Sequence, residues 1–182
     1  GVTAECALAL GRAFGARLVL VGRSPLPQEE PAALAAARGE AQLRRAVARS
    51  QPGLAPKAIA QMARERLAAR EIKSTLARLA SAGVEARYRA VDIRNSAAVR
   101  ALVGETTRDW GSVRGLVHGA GVLADKALLD KTPAQLDAVL DTKLSGLRHF
   151  LDALKLSELR LLALFSSSTA RLCSSRVTAP ST

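Results

Sequence analysis

At 182 residues, 48% of them hydrophobic, the chain is sized for a single domain with a packed core. It has no apolar run of the roughly 18–20 residues a membrane span needs, and the residues after Gly1 show no basic segment leading into an apolar one, so neither a membrane partner nor a secretory signal is expected. A formal charge of +11 raises an acidic ligand or nucleic acid as partner, but aromatics are 3% and no dense basic run occurs, which favours a solvated basic surface and no nucleic acid.

Val2, Cys6, Ala9, Leu10, Ala13 and Phe14 recur at helical spacing, with Gly15 placed as a C-cap. The apolar run 16–22 predicts a strand buried on both faces. From Ser24 to about Arg70, Pro25, Pro27, Pro31, Pro52 and Pro56 punctuate Ala- and Arg-rich stretches. This predicts a loop and short surface helices: an insertion (24–70) without a core of its own. Residues 71–82 predict an amphipathic helix on Ile72, Leu76 and Leu79, ended by Gly83. A strand over 84–91 runs into Asp92, a helix spans 96–110, and a strand over 113–117 runs into His118-Gly119-Ala120-Gly121. Thr132 and Pro133 open a long helix as N-cap and first-turn proline. Its predicted buried stripe is Leu136, Val139, Leu140, Leu147, Phe150, Leu151 and Leu154. A last strand, 159–165, delivers Ser166, Ser167 and Ser168. The alternation predicts an α/β protein with a parallel sheet and helices on both faces.

In open parallel sheets ligands sit at the carboxyl ends of the strands. Here those ends read Gly22-Arg23-Ser24, Asp92, His118 to Gly121, and the serines, which together point to a dinucleotide. Arg23 has the charge and planar fork for the 2′-phosphate of NADP, where an acidic residue would suit NAD; the competing reading is a solvated loop arginine. Lys143 falls in phase with the apolar stripe, four residues from Val139 and from Leu147. A cation there either faces a site or snorkels to solvent. Cys6 and Cys173 lack histidines at metal spacing, which predicts no metal and a reducing, cytoplasmic setting.

Gly22-Arg23-Ser24, Val91-Asp92, Gly115 to Val122, Asp141-Thr142-Lys143 with Gly146, Leu164-Phe165-Ser166-Ser167 and the Lys143-to-Ser167 spacing carry a family likeness. They resemble the ketoreductase domains of type I polyketide synthases and polyunsaturated fatty acid synthases, a branch of the short-chain dehydrogenase/reductases. The likeness runs over nearly the whole chain, and the insertion is similar to that of the fatty acid synthases. It implies a Rossmann-like, doubly wound parallel sheet, incomplete through loss of its first and C-terminal strands. The implied activity is NADPH-dependent reduction of a β-ketoacyl thioester on an acyl carrier protein, among neighbouring synthase domains. Ser167 would bind the substrate carbonyl and Lys143 would stabilise charge. Arg23 would hold the 2′-phosphate, Asp92 the adenine, and Gly119, Ala120 and Gly121 the cofactor ribose. Gly1 would be the last glycine of the phosphate loop. Asp125 falls in a stereochemical motif that reads Leu123-Ala124-Asp125 here.

The family's tyrosine would fall at Pro180, so the chain alone is expected to be inactive, with 171–182 as an unstructured or frame-shifted tail. The rival readings are a non-catalytic structural reductase-like subdomain, a free-standing short-chain reductase, and a basic nucleic-acid binder.

Overall fold

A computed structural model describes residues 2–26, 29–121 and 132–165. The chain divides into two compact units, Gly1–Asp92 and Ile93–Thr182.

The first unit opens with helix α1 (Val2–Phe14), which buries Ala7 and Gly11. Gly11 lies against buried Val84: a Cβ there would sit 2.5 Å from Val84 Cγ1. Strand β1 (Leu18–Gly22) pairs in parallel with β2 (Ala86–Ala90), from Leu18↔Ala86 to Gly22↔Ala90. A parallel pair needs a crossover, and here helices α2 (Ala32–Ala35), α3 (Gly39–Ser50) and α4 (Pro56–Ser81) supply it.

The predicted break near residue 70 is absent. Residues 56–81 form one helix of 26 residues, with Pro56 at its first turn. There the missing N–H costs nothing, and the Ala, Arg, Lys, Glu and Gln that follow are strong helix formers. The insertion also has a small core of its own, contrary to the sequence expectation. Leu34, Leu43, Ala46, Val47 and Ala63 are buried, and Ile59, Met62 and Leu67 pack around them. Alanines on the facing sides of α3 and α4 let these few larger side chains close the interface.

Arg70 on α4 holds this layer together. Its Nε lies 3.0 Å from Glu30 Oε2, and its Nη2 lies 2.8 Å from both Glu30 Oε1 and the Leu34 carbonyl. Nη1 donates to the Ala37 carbonyl. The Leu34 carbonyl at the end of the short helix α2 also accepts from the Ala37 amide at 3.0 Å, so Arg70 is its second donor. Arg78 joins α4 to α1 through Glu5, at 2.7 Å.

In the second unit, Asn95 caps α5 (Ser96–Trp110) by accepting from the Ala98 amide at 3.1 Å. This helix buries Val99, Leu102 and Val103. Strand β3 (Gly115–His118) pairs in parallel with β4 (Leu161–Leu164), His118 opposite Leu164. Between them the long helix expected after Thr132 is interrupted. Helix α6 (Pro133–Leu140) gives way to a π-turn (Asp141–Ser145), and helix α7 (Gly146–Ala153) resumes. The extra residue of a π-turn shifts the helix phase. Thr142, Gly146 and Phe150 are therefore buried, while Leu140, placed on the apolar stripe from sequence, is exposed.

Strand β1 does not match the sequence expectation of burial on both faces. The residues of β1 are half-buried, and Leu161, Leu162 and Leu164 of β4 are exposed. Each of these strands has one neighbour among the described residues.

Candidate functional site

A cleft of about 310 Å³ lies in the first unit where β1 ends. The first turn of α1 (Thr3, Ala4), the segment Gly22-Arg23-Ser24, Glu71 and Thr75 of α4, and Tyr88 of β2 all line it. The amides at a helix N-terminus carry partial positive charge and suit an anion. Arg23 is exposed and makes no ion pair or hydrogen bond with another described residue. The cleft thus offers a cation and a helix terminus together, a combination that fits a phosphorylated ligand.

The loop is fixed from β2. Tyr88 donates its hydroxyl to the Ser24 carbonyl at 2.7 Å. Burial raises the phenol pKa above its ordinary value, keeping it a donor. One residue past β2, the Val91 amide donates to the Gly22 carbonyl at 2.8 Å, and half-buried Asp92 follows.

In the second unit the end of β3 meets the π-turn. His118 is 7% exposed, and its Nε2 lies 2.9 Å from the Lys143 carbonyl. A carbonyl can only accept, so Nε2 carries the proton. Burial is the main cause of a lowered His118 pKa; the nearby Lys143 charge acts the same way, and the bond to its carbonyl opposes them. The Lys143 stem runs along Gly121: a Cβ on that glycine would lie 3.5 Å from Lys143 Cε. The next helical turn is seated by Gly146, where a Cβ would come within 2.5 Å of Ile93 Cδ1, and by His149, whose Nδ1 lies 2.9 Å from the Ile93 carbonyl. Ser145 closes the π-turn on Asp141, Oγ to Oδ1 at 2.7 Å.

Of the residues singled out from sequence, Gly121 and Lys143 are brought together, and Gly119 and Ala120 lie on the same strand end. Arg23 lines the cleft in the first unit, where Asp92 also lies. Gly1, Asp125, Ser167 and the segment 171–182 fall outside the described residues. Sequence reasoning missed Tyr88 and the bond made by His118. The alternation of β2 could have flagged Tyr88, which shares a face with Ala90, the register partner of Gly22. Among the described residues no group of three or more His, Cys, Asp or Glu could hold a metal, and no helix is long and apolar enough to cross a membrane.

Parallel βαβ pairing with polar strand ends defines a Rossmann-like α/β protein. The KR domain family matches residues 1–179, and the chain belongs to it, within the short-chain dehydrogenase/reductase superfamily. It is 33% identical over 178 residues to a polyunsaturated fatty acid synthase polypeptide of Thraustochytrium sp. (strain ATCC 26185 / S-3). That match covers 92% of this chain and 6% of the relative, so the chain spans a small part of that protein. A ketoreductase domain from the bacillaene assembly line superposes with a TM-score of 0.63 at 25% identity, over 94% of this chain and 31% of that one. A metagenomic short-chain oxidoreductase in complex with NADP gives 0.60 at 21% identity, over 92% and 57%.

Proposed function

We propose that the chain is the NADPH-binding ketoreductase domain of a polyketide or fatty acid synthase. In this reading it acts on a β-ketoacyl thioester carried by an acyl carrier protein and yields the β-hydroxyacyl thioester. Its setting is the cytoplasm, beside the other domains of the synthase. The observation that carries the reading is Arg23, without an ionic partner among the described residues, in a cleft shared with the first turn of α1.

NADPH would supply the hydride; the chain's residues bind and orient. Arg23 would hold the 2′-phosphate as a forked, permanently charged donor, and Asp92 would meet the adenine. Gly1, Gly119, Ala120 and Gly121 would line the rest of the cofactor. Lys143, its stem along Gly121, would stabilise negative charge developing on the substrate oxygen. Ser167 would hydrogen-bond the substrate carbonyl.

Arg23→Ala tests the cofactor assignment. Charge-assisted hydrogen bonds are worth about 1.5–3 kcal/mol, so NADPH should bind at least tenfold more weakly, with NADH unaffected. Equal affinity of the unaltered chain for the two dinucleotides would overturn the assignment.

A further inference from the structure

We propose that Tyr88 is a positioning residue for dinucleotide selection: its hydroxyl holds the loop after β1 in the form that presents Arg23 to the cleft. This rests on the NADPH reading above.

The loop lies beyond the reach of the sheet. The bond from the Val91 amide, one residue past β2, to the carbonyl of Gly22, the last paired residue of β1, is the final one of that ladder. Ser24 is two residues further on, and its carbonyl receives the Tyr88 hydroxyl at 2.7 Å. Tyr88 pairs with Leu20 in the register, so its ring must lean along the strand to reach that far. Gly22 makes room for it. A Cβ at Gly22 would sit 2.7 Å from the phenolic oxygen, closer than a Cβ comes to its neighbours, and 3.3 Å from Cε2, a tight contact.

Arg23 therefore stands between two residues that the phenol touches. Its own side chain is exposed and has no anchoring partner among the described residues. Its direction is set by the backbone, and the backbone is held by Tyr88. The ligand feature affected is the difference between a 2′-phosphate and a 2′-hydroxyl on adenosine. The adenosine itself would be bound by groups that Tyr88 leaves unchanged.

The test compares the full 182-residue chain with Tyr88→Phe, which keeps the ring and its packing. Binding of 2′,5′-ADP and of 5′-AMP is measured by calorimetry, and amide hydrogen exchange is followed over residues 23–26. Loss of one hydrogen bond should weaken 2′,5′-ADP about fivefold, leave 5′-AMP unchanged and speed exchange at Arg23 and Ser24.

If the unaltered chain prefers 2′,5′-ADP and Tyr88→Phe keeps that preference, the inference fails while the cofactor reading stands. Equal weakening of both ligands also overturns it, because Tyr88 then only packs. An unaltered chain that does not distinguish the two ligands overturns the cofactor reading, and this inference with it.

Discussion

His118 is a histidine whose neutral form is favoured by burial beside Lys143, so its pKa lies below the ordinary 6.5. The sign of the pH effect follows. The unfolded chain takes up the proton first as pH falls, so the stability contributed by neutral His118 is fully present above about 6.5. It declines below that value and is lost once pH passes through the folded pKa. Urea unfolding of the intact chain between pH 5 and 8 should show this decline, and His118→Gln, which keeps a donor but cannot titrate, should flatten it. An unchanged slope in the variant would assign the decline to other groups. In the sequence His118 was visible only as a polar residue ending a strand. Its partner, a backbone carbonyl 25 positions away, could not be read from residue types. The acceptor of Tyr88 was hidden for the same reason, being the main chain of Ser24, 64 positions away.

Among the elements, the bounds of α1 and α5 were legible almost to the residue, and glycines with positive φ follow them (Gly15 at +56°, Gly111 at +84°). The stripe read on α1 was not the buried one: Val2 and Phe14 are exposed, and Ala7 and Gly11 are buried instead. The insertion was misread through its prolines. Pro52 and Pro56 suggest a run of loops, but Pro56 sits where a helix starts, and the alanines beyond it build a core by close approach. The π-turn left no mark, because one surplus residue changes phase without changing composition.

Arg70 now becomes the residue on which the insertion should depend. Its guanidinium serves Glu30 and two backbone carbonyls at a part-buried position. Arg70→Ala removes the donor to Glu30 and the Ala37 carbonyl, while the Leu34 carbonyl keeps its bond from the Ala37 amide, and should cost about 2 kcal/mol in urea unfolding, with faster amide exchange across α2. Arg70→Lys, which keeps the charge but not the fork, should recover less than half of that. A loss below about 0.5 kcal/mol would show that the insertion is held by its apolar core alone.

For the molecule as a whole, residue patterning gave the α/β class and the parallel pairing. It did not give the division into two units, which depends on pairings between distant strands. The net charge of +11 is spread over both. Chemistry at this scale turns on a proton. The one phenol in the chain is engaged with Ser24, and general-acid assistance is worth about 10²–10⁴-fold. Purified 1–182 given NADPH and a β-ketoacyl thioester should therefore show cofactor oxidation no faster than the uncatalysed background. Turnover at an ordinary enzymatic rate, of order 1 per second or more, would mean that another group donates the proton.

The unbroken helix α4 has a mechanical meaning. Twenty-six residues make a rod about 39 Å long. Its first half is embedded in the insertion, and Glu71 and Thr75 in its second half form a wall of the cleft. A rod has no joint at which to absorb a push. A tilt of 5° pivoting near Ser81 would sweep Pro56 by about 3.3 Å over an arm of about 38 Å, and Thr75 by about 0.8 Å over an arm of about 9 Å. Whatever grips the insertion therefore holds the handle of a lever whose short arm is the cleft wall.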